Sequence, residues 1–137
     1  MKEKDLKNKL LLATNDELIE FIKEEFKSEN LSLEHYKSNL GLLKKMDEDT
    51  INTSISRMVE MESRYDNTKT YSLAIPLILA IIAGYSLTLE GLEIWGSILS
   101  LVLNVVVLIK VVINIGEGNG KKATASYFKE LLGSIKN

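Results

Sequence analysis

The chain has 137 residues, 45% of them hydrophobic and 26% charged, with a net charge of −2 that selects no class of partner. That length suits one domain, or a small domain attached to a membrane anchor. The absence of cysteine excludes disulfides, thiolate metal sites and thiol nucleophiles.

The charges are segregated. Residues 1–69 hold 12 Lys or Arg and 15 Asp or Glu, whereas residues 70–109 hold only Glu90 and Glu93. The N-terminus alternates charge and meets no long apolar region before Tyr71, which argues against a cleaved secretory signal. Residues 1–69 read as a cytoplasmic helical region with no proline and one glycine, Gly41. Leu6, Leu10 and Leu11 predict a short first helix. Asn15 is the expected N-cap of a second, with Asp16 and Glu17 complementing its dipole. Leu18, Phe21, Ile22 and Phe26 then follow at helical spacing. A break at Ser28-Glu29-Asn30 precedes a third helix, capped by Ser32 and carrying Tyr36, Leu40 and Leu43. A fourth begins around Asp47, where Ile51, Ile55, Met58, Glu62 and Tyr65 keep the four-three spacing of a coiled-coil seam. No breaker intervenes before Pro76, so this helix is expected to continue into the apolar segment that follows. The apolar content of residues 1–69 is thin for an independent fold, which predicts packing against a second copy or the C-terminal tail.

Residues 70–116 predict an all-α integral membrane protein built on a two-helix transmembrane hairpin. Its spans are 70–89, which has no formal charge, and 94–116, whose one charge is Lys110. Glu90-Gly91-Leu92-Glu93 forms the turn. Arg57, Arg64 and Lys69 precede the hairpin and Lys121, Lys122 and Lys129 follow it, which places both termini in the cytoplasm of a multi-pass protein of the cell membrane. Tyr71, Tyr85 and Trp95 suit interfacial anchors. Pro76, Ala80, Gly84 and Thr88 recur every four residues as a close-packing face on the first span. Ser97, Ser100 and Asn104 form a polar stripe on the second, and Lys110 is its ionisable group. The stripe fits hydrogen bonding between helices, with Lys110 snorkelling to headgroups. The alternative is the lining of a water-filled path between several copies.

Gly116-Glu117-Gly118-Asn119-Gly120 is expected to end the second span. With Lys121-Lys122 it departs from a phosphate-binding loop, since three residues rather than four separate Gly116 from Gly120 and a lysine replaces the hydroxyl residue. Residues 117–137 are read as a cytoplasmic basic tail, amphipathic from 123 to 136. Tyr127, Phe128, Leu131, Leu132 and Ile135 lie on one side, flanked by Lys121, Lys122, Lys129 and Lys136. Lys121, Lys122, Tyr127, Phe128, Lys129 and Leu132 are the candidates for contact with an anionic membrane surface. Docking of the tail onto the cytoplasmic helices is the alternative.

No residue set points to catalysis, to a metal or to a cofactor. His35, the one histidine, has no evident partner for acid–base work. Asp47, Glu48 and Asp49 point in different directions from one helical turn. Lysines interleaved with acids give no nucleic-acid footprint. The expected role is that of a non-enzymatic, homo-oligomeric membrane protein. It contacts lipid and presents its helical region to a protein partner as an anchor, sensor or regulatory subunit. The alternative role is an oligomeric pore or membrane-perturbing effector, its path lined by Ser97, Ser100, Asn104 and Lys110.

Overall fold

The computed structural model describes residues 2–27, 31–67, 76, 78, 81 and 94–136, and of residues 94–100 and 103 the backbone alone. Among the described residues the protein is helical and has no strand. The helices are α1 (Glu3–Leu12), α2 (Asn15–Ile22), α3 (Leu33–Leu43), α4 (Glu48–Arg64) and α5 (Ile94–Lys136). A π-helical segment, Lys23–Lys27, extends α2. The chain forms two compact units, Met1–Tyr65 with Gly120–Asn137, and Asp66–Asn119.

Side chains that satisfy orphan backbone N–H groups set the helix starts. Thr14 is the N-cap of α2: its Oγ1 accepts from the Glu17 N–H, and the Glu17 carboxylate accepts from the Thr14 N–H. This reciprocal box contributes about 1 kcal/mol. The cap therefore lies one residue before the expected Asn15, because Thr14 is the residue with a glutamate three positions on. Ser32 and Asp47 cap α3 and α4 by accepting from the N–H groups of His35 and Thr50. The expected break at Ser28-Glu29-Asn30 lies outside the described residues.

The core of the first unit is made by Leu6 and Leu10 of α1, Leu18, Ile19 and Ile22 of α2, Phe26, Leu43 of α3, and Ile51, Met58 and Met61 of α4. Ala125, Phe128 and Leu132 of α5 complete it. The tail thus supplies the apolar surface that residues 1–69 lack. Of the coiled-coil seam, Ile51 and Met58 are buried, while Ile55, Glu62 and Tyr65 are half-buried.

Three expectations are corrected. First, among the described residues no helix is long and apolar enough to cross a membrane, so the integral membrane hairpin is not supported. In α5 the apolar run is interrupted by Asn104, Lys110 and Asn114, and Glu117 follows. The first expected span lies outside the described residues except for Pro76, Ile78 and Ile81, which are helical.

Second, Gly116-Glu117-Gly118-Asn119-Gly120 does not end a helix. α5 runs through it without a break, and no described glycine takes a positive φ. Helical segments on both sides make propagation cheaper than stopping and restarting, since nucleation is the costly step. The tail is therefore the end of α5 and not a separate helix.

Third, α4 does not continue toward Pro76 but ends at Arg64, with Tyr65 as its C-cap. The Tyr65 hydroxyl donates to Asp16 Oδ1 at 3.0 Å, which fixes the end of α4 against α2. The residues that follow, Asp66 and Asn67, favour turns because their side chains compete for backbone groups.

Candidate functional site

The long apolar run on α5 leaves an uncovered surface in the second unit. Leu101, Val102, residues 105–109, Val112 and Ile113 are each between 37% and 59% exposed. At about 100° per residue the least exposed positions, Asn104, Leu108, Val111 and Ile115, share one face, and the remaining side of the helix is exposed and largely apolar. A surface helix of a globular protein shows polar residues on its outward side instead. An exposed apolar area of this extent marks a binding surface. Asn104 is half-buried in this segment and Lys110 is exposed. The side chains of Ser97 and Ser100, the rest of the expected stripe, lie outside the described residues. On the expected close-packing face Pro76 is exposed, while Ala80, Gly84 and Thr88 lie outside the described residues.

The residues expected to meet a membrane surface from the tail are joined to the helices of the first unit. Lys121 Nζ donates to Asp16 Oδ1 at 2.7 Å and sits 5.3 Å from the centre of the Tyr65 ring. Lys121, and then the Tyr65 hydroxyl, hold the Asp16 carboxyl below its ordinary range. Lys129 Nζ donates to Glu62 Oε2 at 2.5 Å and lowers that carboxyl, with Lys122 adding to the positive field. Phe128 and Leu132 are fully buried. The Tyr127 hydroxyl donates to the Phe26 carbonyl at 2.9 Å and lies 3.5 Å from the Tyr36 hydroxyl. Burial pushes the Tyr127 hydroxyl up to about 12. The buried apolar side of the tail carries most of its attachment, and these pairs add direction to it.

A second polar group went unread in the sequence. His35 Nε2 lies 2.6 Å from Glu25 Oε2, and the Asn39 amide donates to both Glu25 Oε2 at 2.8 Å and the Glu25 carbonyl at 3.0 Å. The hydrogen bond from His35 is the main cause of the lowered Glu25 carboxyl. The π-helical segment leaves a backbone carbonyl over, and buried Asn39 takes it. A signal for Asn39 exists, since it completes the 36, 39, 40, 43 row of α3 as its one polar member. His35 and Glu25 are ten residues apart on different elements, and no spacing rule connects them. Among the described residues, no three or more His, Asp or Glu side chains are grouped to hold a metal ion.

Residues 4–137 match the family described as YomK prophage membrane protein. A curated relative from Bacillus subtilis (strain 168), the SPbeta prophage-derived uncharacterized protein YomK, is 25% identical over 143 residues. The similarity covers 98% of this chain and 96% of the relative. No solved structure matches.

Proposed function

The chain belongs to the YomK prophage membrane protein family, and from that premise we propose that it is a non-catalytic protein that works at a membrane. The apolar surface of α5 takes up lipid hydrocarbon, and the helical bundle of the first unit binds a protein partner. The observation that carries this reading is the apolar character of the exposed side of α5, made by Val105, Val106, Val107, Ile109, Val112 and Ile113. Lipid hydrocarbon can solvate so broad an apolar side without a shaped groove. The non-catalytic part is supported by the use made of the ionisable groups in the first unit. Asp16, Glu25, Asp47 and Glu62 each face a cation or a histidine that joins two segments of the bundle. Self-association belongs to the same reading, since two copies brought to one membrane can share the apolar surface.

Flotation of the full chain with phosphatidylcholine vesicles tests it. The wild type is expected to float, and Val105→Asp with Ile109→Asp to remain at the bottom with an unchanged far-ultraviolet spectrum. Flotation of the double variant as efficient as that of the wild type would take the role away from this segment.

A further inference from the structure

We propose that Lys110 binds the phosphate of an anionic phospholipid headgroup and thereby fixes how deep α5 sits. The inference rests on the membrane reading above. Lys110 is the one charge between Leu101 and Ile113. It is exposed, and it has no ion-pair partner among the described residues. Its neighbours one helical turn away, Val106, Val107 and Ile113, are exposed aliphatic side chains. Among the described residues these three side chains offer the ammonium group neither a counter-charge nor a hydrogen-bond acceptor. The four-carbon stem can lie along the apolar surface while the ammonium seeks the polar boundary. That boundary is close, because Asn114, one turn on, is exposed and polar and Glu117 follows it. At 1.5 Å per residue, Asn114 is about 6 Å from Lys110 along the axis. The groups an ammonium meets there are lipid phosphates, and an added negative headgroup charge strengthens the attraction. The ligand is thus a phosphate monoanion or dianion held in the plane of the bilayer.

The test compares partition of the full chain onto vesicles of phosphatidylcholine alone and of phosphatidylcholine with phosphatidylglycerol, at constant ionic strength. Lys110→Met is expected to lose about fivefold in partition onto the anionic vesicles, the effect of one lysine at such a surface, and nothing on phosphatidylcholine. Lys110→Arg should keep the wild-type preference, and Lys37→Gln, on α3 of the first unit, should lose less than twofold. Inorganic phosphate added to the wild type on anionic vesicles should leave partition unchanged. Equal partition of Lys110→Met and wild type would overturn the inference, as would an equal loss in Lys37→Gln or displacement by inorganic phosphate. In each of those cases flotation itself persists, so the membrane reading stands. A wild type that floats with neither vesicle overturns both.

Discussion

Arg57 of α4 closes the C-terminal end of α1 by donating from Nη1 to the Leu10 carbonyl at 2.6 Å. Its Nη2 serves the Ala13 carbonyl and Asn15 Oδ1 at 2.6 and 3.2 Å. Helix ends leave carbonyls without partners, and here one planar fork spans the α1–α2 corner. Arg57→Met should cost about 1–3 kcal/mol, because half-buried carbonyls lose a charged donor. Arg57→Lys should recover only part of the loss. Chemical denaturation of the three proteins, followed by helical circular dichroism, measures the difference; an unchanged midpoint in Arg57→Met would refute it.

Phe128 should be the most sensitive position in the tail. Its ring centre lies 5.0 Å from that of Phe26, and the side chain is fully buried. Phe128→Ala should destabilise the first unit by about 3–5 kcal/mol through lost burial and the cavity left behind. Leu131→Ala, half-buried on the neighbouring position, should cost clearly less. Equal melting temperatures for the two variants would contradict the packing described.

Acid should unfold the first unit by removing its carboxylate partners. Asp16, Glu17, Glu25, Asp47 and Glu62 are all lowered in the folded protein. Lys7 is the main cause at Asp47, through a 2.6 Å hydrogen bond. A lowered carboxyl contributes stability that is complete above its unfolded value, about 4, and is lost as pH falls through the folded one. The melting temperature should hold between pH 7 and about 5 and drop below about 4. At the alkaline end the sign reverses. Tyr127 is raised from 10.0 to about 12, so its contribution is complete below 10 and is lost as pH rises toward 12. Tyr127→Phe should flatten the alkaline loss while leaving the acid one in place, as thermal melts across the pH range would reveal.

Gly116 and Gly120 are helical, and a β-carbon at either would meet nothing within 4 Å. Neither space nor a positive φ requires glycine there. Alanine at each position should stabilise α5 by about 1 kcal/mol. At Gly118 a β-carbon would run into the Asn67 amide, which donates to the Ile115 carbonyl at 3.2 Å, so alanine should gain less. Amide hydrogen exchange across residues 112–124 reads the effect, and faster exchange in Gly116→Ala would count against it.

The sequence exposed those features that depend on neighbours in the chain. Ser32 was readable as a cap, and Asp47 as the start of a helix, because capping needs only a local oxygen and a free N–H three residues on. The rows Leu18–Ile22–Phe26 and Phe128–Leu132 were readable because burial follows helical spacing. What the sequence concealed depends on distant partners. No local rule connects Arg57 to Leu10, or Lys129 to Glu62, although the first joins α4 to α1 and the second joins the tail to α4. The glycines at 116–120 carry a real local preference for ending a helix, and the helical segments on either side override it.

Ala125, Phe128 and Leu132 follow the apolar segment in the same helix, and this sets an order of events during synthesis. A ribosome extrudes residues 101–113 before it delivers the three side chains that close the core of the first unit. The apolar segment therefore emerges while α1 to α4 still lack their closing surface, and it must find its own solvent first. Chain growth puts capture of the segment ahead of completion of the bundle, so a cell slow to supply that solvent would accumulate aggregate rather than folded, unattached protein.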